Sequence, residues 1–275
     1  TELTNYATEW LKQQKKPFVL FLSHKNVHAD FQPNEPDIGI YSRKEVKLPK
    51  EAHLWSGHTK NQYVHLNNYA LDESIRRYGE AIHSMDREIG RLLKNLEETK
   101  LADNTFVIYT SDNGYQWGEH ELTDKRWAYE TSIRVPFVMR LPSSKHRGSR
   151  NSHIIANVDV APTILDAAGI KTPKYMEGQS LLRLLDDPSI RWRETFFYSY
   201  FFEPPYPTPT SFALISRRFK LIETEWQGYE LYDLHYDPEE KNNLANSTEF
   251  ADRLAELSER LQIEKRSRAV LETTL

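Results

Sequence analysis

Apolar residues return at alternating spacings of three and four along one stretch: Ile75, Tyr78, Ile82, Met85, Ile89, Leu92 and Leu96. That period predicts an amphipathic helix over Leu66 to Glu98 with its apolar stripe in the core. Arg76, Arg77, Glu80, Arg87, Glu88, Arg91 and Lys94 fall on the other face, expected in solvent. Short unbroken apolar runs at Phe18 to Leu22, Phe106 to Tyr109 and Val135 to Met139 read as buried strands of a parallel sheet. His153 to Val158 reads as a further short strand. Thr4 to Gln14 predicts a helix with Tyr6, Trp10 and Leu11 on one side. Asp159 suits a helix N-cap and Gly169 a helix stop, and Glu177 to Leu185 suggests another short helix.

From Arg191 the pattern shifts to close-set strands: Thr195 to Phe202, Phe212 to Ser216, Phe219 to Thr224 and Tyr229 to Leu234. Such spacing suggests an antiparallel meander, and Glu249 to Gln262 a helix packed back on it. The fold class expected is α/β: part of a large mixed or parallel sheet flanked by helices, then a small antiparallel sheet with a C-terminal helix. The boundary falls near Asp187, giving parts 1–187 and 188–275. Residues 31–65 show no period, and a loop this long is functional or mobile. It carries Trp55, His58 and Tyr63, for which surface packing is the expectation. Glu203 to Pro209, with four prolines besides Tyr206, reads as a stiff extended loop.

The formal net charge of −4 over 275 residues gives no reason to expect nucleic acid or an anionic membrane as partner. No apolar run approaches the length that crosses a bilayer. With no cysteine, neither a disulfide nor a thiol nucleophile is available. The chain opens at Thr1 with no visible signal peptide, as the middle of a longer protein would.

The candidate chemistry lies between the second and third apolar runs. Thr110-Ser111-Asp112-Asn113-Gly114 follows a strand, and ligands in α/β sheets bind beyond the carboxyl ends of strands. The oxygens of Asp112 and Asn113 suit a hard cation, Ca²⁺ or Mg²⁺. Taken alone, Ser-Asp-Asn-Gly is an ordinary turn in which Asp and Asn bond their own backbone. Lys125 adds a cation one loop away, suited to an anionic substrate. His28 also lies just past a strand, although a lone histidine there is more often a capping or core residue. His24, close by, could form a pocket wall.

SDNGYQWGEH, then DK, then YETSIRVPF resembles the sulfatase family, the formylglycine-dependent members of the alkaline phosphatase superfamily. YGEAIHSMDREIGRLL, VDVAPTILDAAGI and ELYDLHYDPEEKNNLA are similar to family segments in the same order. The resemblance implies a sulfuric ester hydrolase acting on a sulfate ester, preferably of a saccharide. It makes Asp112 and Asn113 ligands of Ca²⁺, with Mg²⁺ as the alternative. It places Lys125 on sulfate or leaving-group oxygens and His28 on the leaving oxygen as proton donor. Trp117, His120, Arg126 and the Tyr206 loop become candidates for substrate contact, with Glu119-His120 as a structural pair and the loop as a connector for alternatives. The family nucleophile is a formylglycine formed in a Cys/Ser-x-Pro-x-Arg motif, and this chain contains no such motif. The expectation is therefore a C-terminal portion whose partner is the N-terminal half of the same protein. By resemblance its location would be periplasmic, secreted or lysosomal. Two other readings stand beside this one: a phosphonate or phosphate ester hydrolase of the same superfamily, and a non-catalytic relic that binds sulfated glycans. Asn113, where many metallohydrolases of the superfamily carry His, tilts toward the sulfatases.

Overall fold

The computed structural model describes all residues except 55–69, 143–145, 188, 226 and 273–275. Trp55, His58 and Tyr63 lie outside the described residues, as does the start of the long helix expected from Leu66. In chain order the elements are α1 (Glu2–Lys12), α2 (Leu71–Glu98), β1 (Val107–Thr110), β2 (Gln116–Trp117), β3 (Thr123–Asp124), α3 (Glu130–Ile133), β4 (Phe137–Arg140), α4 (Val160–Ala167) and α5 (Leu182–Asp186). There follow β5 (Thr195–Tyr200), β6 (Ser211–Ser216), β7 (Phe219–Thr224), β8 (Gly228–Asp233) and α6 (Ala251–Glu272). Two compact units emerge: residues 1–109, 117–124 and 138–145 in the first, and 110–116, 125–137 and 146–275 in the second.

In the first unit α1 packs on α2 through Thr4, Ala7 and Leu11. Glu2 in the first turn and Lys12 in the last complement the helix dipole. The expected side of Tyr6 and Trp10 is not the buried one: both are exposed, and Trp10 meets Phe18 edge to face at 5.3 Å. The small Thr4 and Ala7 allow closer approach of the backbones than the two large rings would. The buried face of α2 also differs from the expected one. It consists of Leu71, Ser74, Glu80, Ala81, Ser84, Glu88, Asn95 and Leu96, while Ile75, Tyr78, Met85, Ile89 and Leu92 are half-buried and Ile82 is exposed. The buried carboxylates are tolerated because they are hydrogen-bonded. Glu80 Oε1 accepts from the Tyr41 amide at 3.0 Å, and Glu88 pairs with Arg91 at 2.6 Å. Asp37 is tied to α2 by Ser84 Oγ and Arg87 Nη1, each at 2.5 Å.

Phe18 to Leu22 is extended, with burial alternating residue by residue, but forms no ladder among the described residues. A strand needs a hydrogen-bonded neighbour, and without one Val19 and Phe21 stand 67% and 88% exposed. The runs at Phe106 and Val135 do become β1 and β4, which pair with each other as a two-stranded sheet. His153 to Val158 is not a strand. It is irregular and then turns 3₁₀-helical at Asn157–Asp159.

In the second unit the meander is present as β5-β6-β7-β8, antiparallel throughout. One face packs on α6 through Leu214, Phe219, Leu221, Leu231, Leu257 and Leu261. Each fully buried leucine there contributes about 1.5–3 kcal/mol. The other face of β7 carries Lys220, which is fully buried. Its ammonium lies 2.7 Å from both Glu130 Oε1 and Glu240 Oε1 and donates to Ala128 O at 3.0 Å. Tyr129 and Tyr232 donate to Glu230 at 2.8 and 2.6 Å. These bonds pin residues 128–130, the run-in to α3.

Asp159 precedes α4 but does not cap it with its side chain. The carboxylate is fully buried and instead takes a bidentate pair from Arg193 and the amides of Ala156 and Gln179. Gly169 ends α4 as expected, at φ +69° with the Ile170 amide reaching back to Leu165 O at 2.8 Å. Of Glu177 to Leu185 only the end is helical, as α5.

Candidate active site

Ser111 to Gly114 follows directly from β1. Asp112 Oδ1 accepts from the Asn113 amide at 2.9 Å, and the Ser111 hydroxyl lies 3.2 Å from the same oxygen. The Asn113 side-chain amide nitrogen donates to Gly114 O at 2.6 Å, so its Oδ1 is the atom left for a cation. Two contacts hold the turn from outside. Asn157 Nδ2 donates to the carbonyls of Ser111 and Asp112 at 3.1 and 3.2 Å. The Gly114 amide donates to Ser132 O at 2.7 Å. Any Cβ at Gly114 would sit 2.2 Å from Thr131 O, so only glycine fits against α3.

Lys125 is half-buried, and among the described residues its ammonium has no hydrogen-bond or ion-pair partner. It is flanked by two non-glycine residues in left-handed conformation, Asp124 at φ +75° and Arg126 at φ +91°. Such backbone costs on the order of 1–3 kcal/mol per residue and persists only where surroundings enforce it. Arg126 is enforced at every group. Its amide donates to Ser132 Oγ at 3.1 Å, and its carbonyl accepts from Tyr198 Oη at 3.0 Å. Its guanidinium lies 3.5 Å from the centre of the Tyr206 ring and 3.4 Å from Glu203. Tyr200 joins the cluster through Glu203 at 3.3 Å, and burial together with that carboxylate pushes its hydroxyl up to about 12.

Ser132, itself buried, thus serves both halves of the second unit's candidate site. Its carbonyl anchors the Asp112-Asn113 turn and its hydroxyl anchors the Lys125-Arg126 loop. Neither Ser132 nor Asn157 was singled out from sequence. The only signal for Ser132 is its place in YETSIRVPF, and Asn157 has none.

The other candidates belong to the first unit. His28 is exposed, in a segment bent by Val27, Asp30 and Phe31 at φ +66°, +33° and +42°. Its Nδ1 lies 3.0 Å from Ala29 O, which makes Nδ1 the protonated nitrogen and leaves Nε2 outward. His24 is half-buried, and burial lowers its pKa from the usual histidine range. Trp117 packs with Phe31 and Tyr78, ring centres 5.0 Å from each, so much of its face is already covered. His120 is left-handed, at φ +55°, within the Glu119–Glu121 turn that joins β2 to β3. Glu119 accepts from the Trp117 amide at 2.5 Å.

The Asp112 carboxylate and the Asn113 amide oxygen are hard donors, exposed or half-exposed, and their chemistry fits Ca²⁺ or Mg²⁺. They supply two of the roughly six to eight oxygens that calcium takes. Among the described residues no group of three or more His, Cys, Asp or Glu could hold a metal alone.

Residues 1–170 match the family described as Sulfatase, more than half of the chain. The chain belongs to the sulfatase family. Residues 118–267 of this sulfatase chain also match N-sulphoglucosamine sulphohydrolase, C-terminal. It is 36% identical to an N-acetylglucosamine-6-O-sulfatase of Bacteroides thetaiotaomicron over 72% of this chain and 36% of that protein. It is 34% identical to the Homo sapiens N-acetylglucosamine-6-sulfatase over 72% of this chain and 38% of that protein. The chain therefore spans only about a third of these relatives, and 54% of an arylsulfatase of Clostridium perfringens. Among solved structures, one in complex with its substrate D-glucosamine-2-N,6-O-disulfate superposes with a TM-score of 0.84 at 25% identity, over 96% of this chain and 69% of the other. The phosphonate monoester hydrolase of Agrobacterium radiobacter shares the fold, with a TM-score of 0.79 at 20% identity over 97% and 61%.

Proposed function

We propose that the protein containing this chain hydrolyses sulfate esters of saccharides, and that Thr1–Leu275 supplies the cation-binding part of its active site. The observation that carries this is the double anchor at Ser132, which fixes to one short helix the turn with the hard-oxygen pair and the loop with an ammonium that has no partner among the described residues. Sulfate-ester cleavage needs positive charge on the sulfuryl oxygens and on the departing oxygen. Lys125 provides a compact cation for those oxygens, held by a backbone that cannot relax away. Asp112 and Asn113 would hold the divalent cation, which offsets sulfate charge when bound. His28, with Nδ1 committed to Ala29 O, presents Nε2 to carry a proton to the leaving alcohol. No cysteine or Ser-x-Pro-x-Arg occurs between Thr1 and Leu275, so the nucleophile is left to polypeptide outside this sequence.

A sulfated hexosamine is the substrate this reading favours. Support comes from the two relatives named as N-acetylglucosamine-6-sulfatases and from the solved complex with a glucosamine disulfate. Arg126 on the Tyr206 ring offers a cationic, aromatic surface of the kind that holds a charged sugar. In the protein containing this chain, Lys125→Ala is expected to lower kcat on an aryl sulfate about a hundredfold, comparable to loss of one oxyanion contact. Because the loop is polar and half-exposed, the melting temperature should hold. An unchanged rate would return Lys125 to the surface lysines and remove the basis for this reading.

A further inference from the structure

A second cationic surface lies in the same unit, in a cleft of about 390 Å³ between the approach to β5 and helix α6. Gln179, Arg191, Arg193, Thr195 and Arg260 line it, with Trp192 in its wall and Glu194 as the sole carboxylate among the described lining residues. The sulfatase readings above make no use of it. Two of its arginines are fixed before any ligand arrives. Arg193 is clamped by the buried Asp159 through both terminal nitrogens, and Arg260 donates to Thr195 Oγ1 at 3.2 Å. Trp192 backs the wall, its indole nitrogen donating to Ile154 O at 2.7 Å. The charge does not cancel. Arg193 is neutralised by Asp159, but among the described residues neither Arg191 nor Arg260 has a carboxylate partner.

We propose that this cleft is an accessory binding site for a sulfate group of a saccharide, distinct from the group hydrolysed. The guanidinium is planar, weakly hydrated and rich in donors, and it takes the oxygens of sulfate two at a time. A bidentate pair to Asp159 uses two of the five donors of Arg193, leaving others for a ligand. The Gln179 side-chain amide and the Thr195 hydroxyl are neutral donors of the kind sugar hydroxyls use. The volume lies near the lower end of small-molecule sites, which suits one sugar ring with its sulfate. The choice of saccharide rests on the sulfatase reading; the anion chemistry does not.

The test is calorimetric titration with a sulfated disaccharide, its desulfated counterpart and inorganic sulfate. The protein containing this chain would carry Lys125→Ala, which slows turnover about a hundredfold, and the titrations would be run faster than the residual hydrolysis. Arg191→Gln and Arg260→Gln are each expected to weaken the sulfated disaccharide at least tenfold, as loss of one charged hydrogen bond does. The desulfated disaccharide should bind far more weakly, and inorganic sulfate should compete at higher concentration. Arg191 is exposed and makes no internal bond among the described residues, so its variant keeps the fold and remains interpretable if Arg260→Gln does not. Affinity within twofold of the parent in Arg191→Gln would overturn the site. Inorganic sulfate binding as tightly as the disaccharide would overturn the saccharide assignment. Since the readout is binding, failure of the hydrolytic reading would show separately, as absent turnover by the parent protein.

Discussion

Ser132 is where the candidate site is most exposed to a single atom. Its hydroxyl accepts from the amide of Arg126, a residue at φ +91° that would leave this conformation if released. Ser132→Ala orphans that amide at a cost of about 1–3 kcal/mol and loosens the segment that aims Lys125. The carbonyl anchor of Gly114 survives the change. We therefore expect kcat to fall about tenfold with KM little altered, and Ser132→Thr, which keeps a hydroxyl, to restore most of it. Equal loss in both variants would mark Ser132 as a packing residue. At this scale the sequence exposed the ends of the site and hid its supports. Asp112, Asn113 and Lys125 stand in a turn and a polar loop whose chemistry can be named. Ser132 acts through its hydroxyl on an amide six residues back, Asn157 and Tyr198 through a side-chain amide and a hydroxyl on carbonyls 46 and 72 residues away, and their residue types signal nothing.

Among the elements, α2 shows best why pattern and burial part company. Its apolar stripe has the right period, yet the face that closes against α1 and the Glu35–Asp37 turn is built of Ser, Ala and hydrogen-bonded carboxylates. β7 does the same on a smaller scale, because Lys220 alternates with apolar residues as an outward residue would and is nevertheless buried between Glu130 and Glu240. The four strands after Arg191 were legible because each is short, bounded by turns and paired with its sequence neighbour. The Phe18 run was legible as extended chain only, since a ladder depends on a partner that a run of apolar residues does not name. Asp37 gives the test at this scale. Burial pushes its carboxyl up, but the hydrogen bonds from Arg87 and Ser84 outweigh burial and hold it below the ordinary value. A depressed carboxyl contributes stability that is complete above its unfolded pKa, about 3.9, and fades as pH falls through the folded value. Asp37→Asn should therefore lower the urea midpoint at pH 7, and the gap to the parent should close as pH falls below about 4. A gap that stays constant down to acid pH would assign its effect to packing instead.

For the whole molecule the deciding facts are what the chain holds and what it leaves uncovered. It covers 36% of its Bacteroides relative and contains no residue motif from which a formylglycine could form. Apolar side chains that belong on strands and helices against a core face outward: Val19, Phe21, Val138 and Ile82. An exposed, unpaired apolar strand invites association with other chains. We expect Thr1–Leu275 produced alone to be prone to aggregation and to hydrolyse no aryl sulfate, with or without added calcium. Co-production with a segment that carries a Cys/Ser-x-Pro-x-Arg motif should both solubilise the chain and bring turnover. Metal-dependent turnover by the isolated polypeptide, its mass confirmed as 32.4 kDa, would show that a nucleophile lies within this sequence after all. The assignment of Lys125 and His28 to a site completed from elsewhere would then have to be given up.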